Sequence, residues 1–308
     1  MNKYSKIFIT NYDSMLGNAL ERRLRDDGFR NLLKTGTAEF NLKDQRSVEK
    51  FFQDNKPDYV FLIPAKSGGI MLNINRSAEL LYDNLEAQNN VIHSSWLSGV
   101  ERLLMIGASC VYPKNSSQPI KEEYLLTGPL EPTSEAYSLA KIAGIKLCEH
   151  YNRQYKTAFL TIVPATVYGP GDDFDVDSSH VLPALIRRFH EAKIKDAPSA
   201  IVWGTGNARR EFIYVDDLID ACLFLMRQPN NAGLINIGTS QDASIKELSR
   251  LIKEIVGFNG NLEFDAAKPE GASQKLLDTT RMTSSGWTSK VDLMTGIDKT
   301  YRWYINSL

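Results

Sequence analysis

Five apolar runs, at 4–10, 31–35, 58–63, 102–106 and 158–163, are separated along the first half of the chain by stretches with helical spacing. That order leaves little choice of fold. Strands buried on both faces read as continuous apolar runs, and successive parallel strands need a crossover, usually a helix. The helical stretches lie at 14–27, 44–54 and 78–98, with another around Tyr137. The first places Met15, Leu16, Ala19, Leu20 and Leu24 on one face and stops at Gly28, a helix-end signal. The expected fold is α/β, a Rossmann-like doubly wound parallel sheet.

After Pro164, which should end the strand at 158–163, the pattern loosens. A loop rich in Gly and Asp is expected over 168–179. Helices follow at 181–192, 216–226, 244–256, 279–285 and 292–306, and strands at 200–203, 210–215, 234–238 and 262–264. A chain of 308 residues has room for a second lobe. We expect a dinucleotide-binding core over 1–165, with 210–238 contributing, and a smaller C-terminal α/β substrate-binding lobe over 166–308.

A formal net charge of −1 offers no electrostatic footprint for nucleic acid or an anionic membrane surface. No run of about 18 apolar residues reads as a membrane span. Cys110, Cys148 and Cys222 are odd in number and widely spaced, which argues against a disulfide framework or a metal site and fits a reducing cytoplasm.

Tyr137 and Lys141 are four apart, so on a helix both emerge on one face, one turn from each other. A free phenol titrates near ~10, and an adjacent ammonium favours the phenolate. A dinucleotide in this fold lies where the first strand meets its helix, on a GxxGxxG turn. Here the turn reads Asn11-Tyr12-Asp13-Ser14-Met15-Leu16-Gly17, and only the last glycine stands. Asn tolerates left-handed backbone, so Asn11 can keep the turn, and Ser14 can cap the helix. Asp13 puts a carboxylate near the phosphate position unless it points away.

Several further segments share an order and spacing: 65–70 (AKSGGI), 107–114 (GASCVYPK), 131–155 (EPTSEAYSLAKIAGIKLCEHYNRQY), 178–192 (SSHVLPALIRRFHEA), 202–218 (VWGTGNARREFIYVDDL) and 275–281 (KLLDTTR). With the Tyr–Lys pair they make the chain resemble the extended short-chain dehydrogenase/reductases, and within them the GDP-L-fucose synthase family over nearly its whole length. The resemblance implies two chemistries on a GDP-linked 4-keto-6-deoxy sugar. A Cys and a His, here Cys110 and His180, move protons at C3 and C5, which the C4 ketone acidifies. Tyr137 and Lys141 then serve hydride reduction of C4. The implied cofactor is NADP(H), with NAD(H) an alternative, contacted by Asn11, Ser14, Met15, Leu16, Gly17, Ala65, Lys141, Pro164 and Val167. The implied nucleotide-sugar site uses His180, Arg188, Trp203, Arg210, Lys275 and Asp278. A homodimer pairing through two core helices is implied too, with Ile142, Ile145 and Leu147 serving either core or interface.

The departures gather on the reductase side. The family's Ser, four residues before Tyr112, is Ala108; Ser109 is the neighbouring hydroxyl, on a position expected to point the other way. After the second strand, 34–37 offers only Lys34 to an adenosine phosphate. Where the family has an Asn near the sugar, this chain reads Ala165-Thr166, which leaves hexose and heptose open. Epimerisation is therefore better supported than reduction. The alternatives are an epimerase alone, a 4-reductase of a related GDP-sugar, or a catalytically retired homologue that binds a nucleotide sugar.

Overall fold

The computed structural model describes residues 1–34, 40–175, 178–228 and 233–308. Expectations that fall on 35–37, including the end of the second strand and most of the adenosine-phosphate stretch, lie outside the described residues. So do parts of the expected loop at 168–179 and of the 210–238 segment.

The central sheet holds β1 (Ile7–Ile9), β2 (Leu32–Leu33), β3 (Tyr59–Leu62), β4 (Arg102–Ile106), β5 (Phe159–Pro164) and β9 (Gly233–Ile237), in the order β2-β1-β3-β4-β5-β9. Every pairing in it is parallel. This is the doubly wound sheet the alternation predicts. The strand order reverses between β1 and β3, and in such sheets ligands bind beyond the strand C-termini at that switch. Pro164 does not stop β5 but forms its last residue, paired with Ile237. A proline at a strand terminus costs no interior ladder bond.

The helices that flank this sheet include α1 (Met15–Asp26), α2 (Gln45–Asn55), α4 (Ser77–Leu97) and α5 (Glu135–Tyr155). α1 starts because Ser14 accepts the Gly17 N–H at 3.1 Å, and it buries Ala19, Leu20 and Leu24. α4 and α5 pack side by side. Gln88 Nε2 donates to Ala140 O at 2.6 Å, and a Cβ on Gly144 would lie 2.8 Å from the Gln88 amide. A glycine is therefore what allows the Tyr137 helix to lie so close. Ile142 and Ile145 are core residues, and Leu147 packs part-buried against the opposite core cluster.

The second sheet runs β10 (Asp242–Ser244), β8 (Arg209–Tyr214), β12 (Gln274–Lys275), with β6 (Thr166–Tyr168) on β8. A parallel pair, β7 (Ser199–Trp203) and β11 (Asn261–Asp265), lies beside it. Helices α6 (Val181–Ile194), α8 (Ile245–Val256) and α10 (Leu293–Asn306) carry its core, which includes Leu185, Phe189, Leu248, Ile252 and Tyr301. The chain crosses back between: α7 (Val215–Arg227) packs on α1 before β9 joins β5. The sequence reading misses β6, β10, β12 and α3 (Ile70–Asn75), all too short to show a period. No helix among the described residues is long and apolar enough to cross a membrane.

Candidate active site

Asn11 takes the left-handed conformation, φ 47°, where the motif has its first glycine, and its Nδ2 donates to Pro64 O at 2.8 Å. Ser14 Oγ donates to Asn11 O at 2.7 Å while capping α1. A Cβ on Gly17 would lie 2.4 Å from Tyr12 Cα, so the surviving glycine is the one with no room for a side chain. A hydrogen-bonded Asn–Ser pair thus builds the turn without two of its glycines. Asp13 is exposed. The amides of Met15 and Leu16, at the start of the helix, take no partner among the described residues, the usual state of a helix N-terminus that accepts an anion. A cleft of about 210 Å³ opens beside this turn, lined by Asn11, Phe40–Lys43, Ala65, Lys66, Asp83 and Ala87. Turn and cleft fit a dinucleotide. Lys34 lies 5.1 Å over the Tyr12 ring and pairs with Glu21. Pro164 and Val167 follow on β5 and β6, beyond the same edge.

At the end of β4, Cys110 and Tyr137 pack together with Leu80, against Leu72 and Ala108. Ala108 thus lies against the Tyr137 cluster, while Ser109 begins a 3-10 turn and its hydroxyl has no hydrogen-bond partner among the described residues. Lys141 is 1% exposed, with Nζ 5.7 Å from the Tyr137 ring centre. Burial pushes the Tyr137 phenol well above its usual range, and nearby Cys110 adds to the rise. Burial brings Lys141 down to about 7, against the opposing pull of Cys110 and Cys148. The expectation that the ammonium favours the phenolate is therefore outweighed here by desolvation of both groups.

His180 immediately precedes α6, and its position is set by the 65–70 segment. Gly69 N donates to Ser178 O at 2.7 Å, and Cβ atoms on Gly68 and Gly69 would sit 2.9 Å and 2.3 Å from the Ser178 and Ser179 carbonyl oxygens. Asn73 Nδ2 holds both glycine carbonyls at 2.9 Å. Leu72, two residues beyond that segment in α3, packs on the Cys110–Tyr137 cluster. One short segment therefore touches both the cysteine side and the histidine side. Burial lowers the His180 pKa and Asp173 opposes it. Asp172, in the same loop, is a carboxyl that sequence reasoning missed; burial pushes it up to about 7, and its Oδ2 has no hydrogen-bond partner among the described residues.

In the second lobe, the Arg188 guanidinium lies 5.6 Å from the Trp203 ring centre, and its Nη1 donates to Ile201 O at 2.8 Å. Arg210 donates to two carbonyls, Arg209 O and Glu270 O, both at 2.8 Å, and Lys275 is its register partner on β12. Burial disfavours the charge on all three cations. Neighbouring Arg187 and Arg209 have carboxylate partners, but among the described residues Arg188, Arg210 and Lys275 have none within ion-pair distance. Glu191 bears on Arg188, Glu270 and Glu131 on Arg210, and Glu131 on Lys275, all without a direct ion pair among the described residues; desolvated cations left without a direct carboxylate partner are the makings of an anion site. Asp278 stands apart from them, accepting from Thr280 N at 2.9 Å with Lys121 and Arg281 as its charged neighbours.

Two buried hubs hold these pieces in register: Asn236 lies outside every quoted motif, and Glu211 lies within 202–218 without being singled out there. Asn236 accepts from the Tyr112 hydroxyl at 2.6 Å and donates to Ile120 O and Asp278 O. Glu211 accepts the N–H groups of Thr239, Ser240 and Leu277. A larger cleft, about 250 Å³, lies between α5, β5 and β9 and contains none of the candidate site residues. The described residues contain no group of three His, Cys, Asp or Glu side chains able to hold a metal.

Residues 7–238 match the NAD dependent epimerase/dehydratase family. The chain is 47% identical over its full length, and 94% of the other protein, to putative GDP-L-fucose synthase 2 of Arabidopsis thaliana. Among solved structures, a GDP-6-OMe-4-keto-L-xylo-heptose reductase of C. jejuni superposes with a TM-score of 0.94 at 38% identity, covering 100% of this chain and 99% of that one. The GDP-mannoheptose C4 reductase MlghC of Campylobacter jejuni, solved with NADP bound, gives 0.89 at 39% identity over 99% of each chain. The chain belongs to the NAD dependent epimerase/dehydratase family and, within it, to the GDP-L-fucose synthases.

Proposed function

We propose that this protein is a 3,5-epimerase and 4-reductase of a GDP-linked 4-keto-6-deoxy sugar, with NADP(H) as its cofactor. The observation that carries the proposal is the 68–72 segment, which joins the Cys110–Tyr137 cluster to Ser178 and Ser179, the loop residues just before His180 and α6. In this reading Cys110 removes the proton at C3 or C5 and His180 returns one from the opposite face. Tyr137 donates the last proton to the C4 oxygen, and the Lys141 charge balances the phenolate that this leaves. Met15, Leu16 and the Asn11–Ser14 turn hold the dinucleotide phosphates, with Gly17, Ala65, Lys141, Pro164 and Val167 along its length. A bound nicotinamide supplies the hydride for C4. Arg188, Arg210 and Lys275 take the diphosphate and Trp203 the nucleotide's flat face, while Asp278 bears on the site through its own loop.

Incubation of the keto-sugar in deuterated water tests the first half: deuterium enters C3 and C5, and an absence of exchange refutes epimerisation. Oxidation of NADPH by the same mixture tests the second. Ala108 gives one specific ground for a second reading, in which the enzyme epimerises and reduces slowly or not at all. The exposed Tyr82, Leu97 and Leu139 on α4 and α5 support a homodimer through those helices. Light scattering of the wild type and of Leu139→Asp checks it, with a dimer expected only for the former.

A further inference from the structure

Lys268 lies between the 202–218 and 275–281 segments and belongs to neither. It lies on a strap, 266–273, that leaves β11 and returns as β12. The strap is fastened in its middle by Glu270. That carboxylate accepts the Thr205 N–H at 3.0 Å and its hydroxyl at 3.1 Å, and its carbonyl accepts from Arg210 at 2.8 Å. Gly204 has φ 81°, and a Cβ there would lie 2.8 Å from the Glu270 Cβ, so a glycine is needed where the strap touches down. Gly271, φ 71°, turns the chain back past the Arg210 guanidinium. Both contacts fix the strap against residues on the anion site.

Two residues before this clamp, Lys268 Nζ lies 5.5 Å from the centre of the Trp203 ring, which Arg188 also approaches. The Lys268 side chain is exposed and has no carboxylate within ion-pair distance among the described residues. An exposed ammonium over a half-buried ring is held weakly, whereas an ammonium on a phosphate oxygen makes a charge-assisted hydrogen bond. Lys268 thus joins Arg188 at the Trp203 ring, on a backbone tethered to Arg210 through the Glu270 carbonyl and with a flexible four-carbon stem.

We propose that Lys268 is a further diphosphate-binding residue, offering its ammonium to the phosphate oxygens of a nucleoside diphosphate beside Arg188 and Arg210. The proposal rests on the GDP-sugar reading above, and the experiment separates the two. The full-length wild type, Lys268→Ala and Lys268→Arg are titrated calorimetrically with GDP and with guanosine at low and moderate salt. Lys268→Ala should weaken GDP about tenfold, with a shallower salt dependence, and leave guanosine within about twofold. Lys268→Arg should stay within about threefold of the wild type for GDP. If the wild type binds GDP and Lys268→Ala binds it equally well, the role of Lys268 is refuted. Equal losses for GDP and guanosine refute it as well, since the effect then lies at the base or in the fold. If the wild type binds no GDP at all, the nucleotide-sugar reading falls, and this proposal with it.

Discussion

Replacing Gly69 by Ala probes the link between the two halves of the site. Gly69 has φ −68° and ψ −177°, an extended conformation that any residue adopts, so the substitution adds no backbone strain. Its effect is steric: the new Cβ would meet Ser179 O at 2.3 Å and Ser179 C at 3.2 Å. Both neighbours are backbone, so the contact is relieved only when the 178–180 segment or the 68–70 turn moves by about 1 Å, toward normal carbon–oxygen separation. Overpacking of this kind costs about 1–3 kcal/mol. The Gly69 N–H bond to Ser178 O adds about 1 kcal/mol if it breaks. At roughly 2 °C per kcal/mol for a chain this long, Tm should fall by several degrees. The larger effect should be catalytic, because a misplacement of about 1 Å at a reacting group costs on the order of 100-fold. Deuterium exchange at C3 and C5 should drop by about that factor, while NADPH affinity, which depends on the Asn11 turn, stays near the wild type. Wild-type exchange with an unchanged Tm would refute the claim that this contact positions His180.

Three other expectations follow from particular contacts. Ala108→Ser restores a hydroxyl beside Tyr137 and should raise NADPH oxidation with little change in deuterium exchange; an unchanged oxidation rate would show that the missing hydroxyl does not limit reduction. Lys141 titrates near 7 in the fold against ~10.4 unfolded, so between these values the unfolded chain binds more protons and stability rises with pH. Lys141→Met lacks that dependence. It should exceed the wild type in urea midpoint at pH 7, with the gap closing by up to ~1.4 kcal/mol per pH unit toward pH 10; parallel curves would contradict this. Glu211→Gln sets an amide against one of three backbone N–H donors and should cost about 1–3 kcal/mol, read as a lower Tm and a weaker GDP affinity; loss of neither would mean that Glu211 does not hold the Leu277 segment.

The sheet was legible because burial on both faces writes itself into sequence as unbroken apolar runs, and Arg102–Ile106 was read to the residue. The Tyr137–Lys141 pair was legible as a four-residue spacing on one helix face, and Cys110 and His180 only through the family resemblance. What stayed hidden depends on partners far along the chain. Asn11 and Ser14 look like losses until their bonds to each other and to Pro64 show the turn rebuilt. The raised Tyr137 and lowered Lys141 follow from burial, which the four-residue spacing says nothing about. Gly68 and Gly69 could be quoted as part of a motif, but their contact with Ser178 and Ser179 spans more than a hundred residues. Asn236 and Glu211 are single polar residues whose importance lies in backbone groups brought to them by topology.

The Tyr112–Asn236 bond also constrains how the protein comes to be folded. It joins residues 124 apart, and β9, which holds Asn236, enters the sheet only after the whole second-lobe segment from β6 to β8 has been made. A chain emerging from the ribosome can pair β1 to β5 well before that. The turn that carries Cys110 cannot reach its final setting until the sixth strand docks. Closing so long a loop is slow relative to local helix formation. Refolding followed in time should therefore regain helical circular dichroism early and proton-exchange activity late, with Tyr112→Phe widening the interval between them.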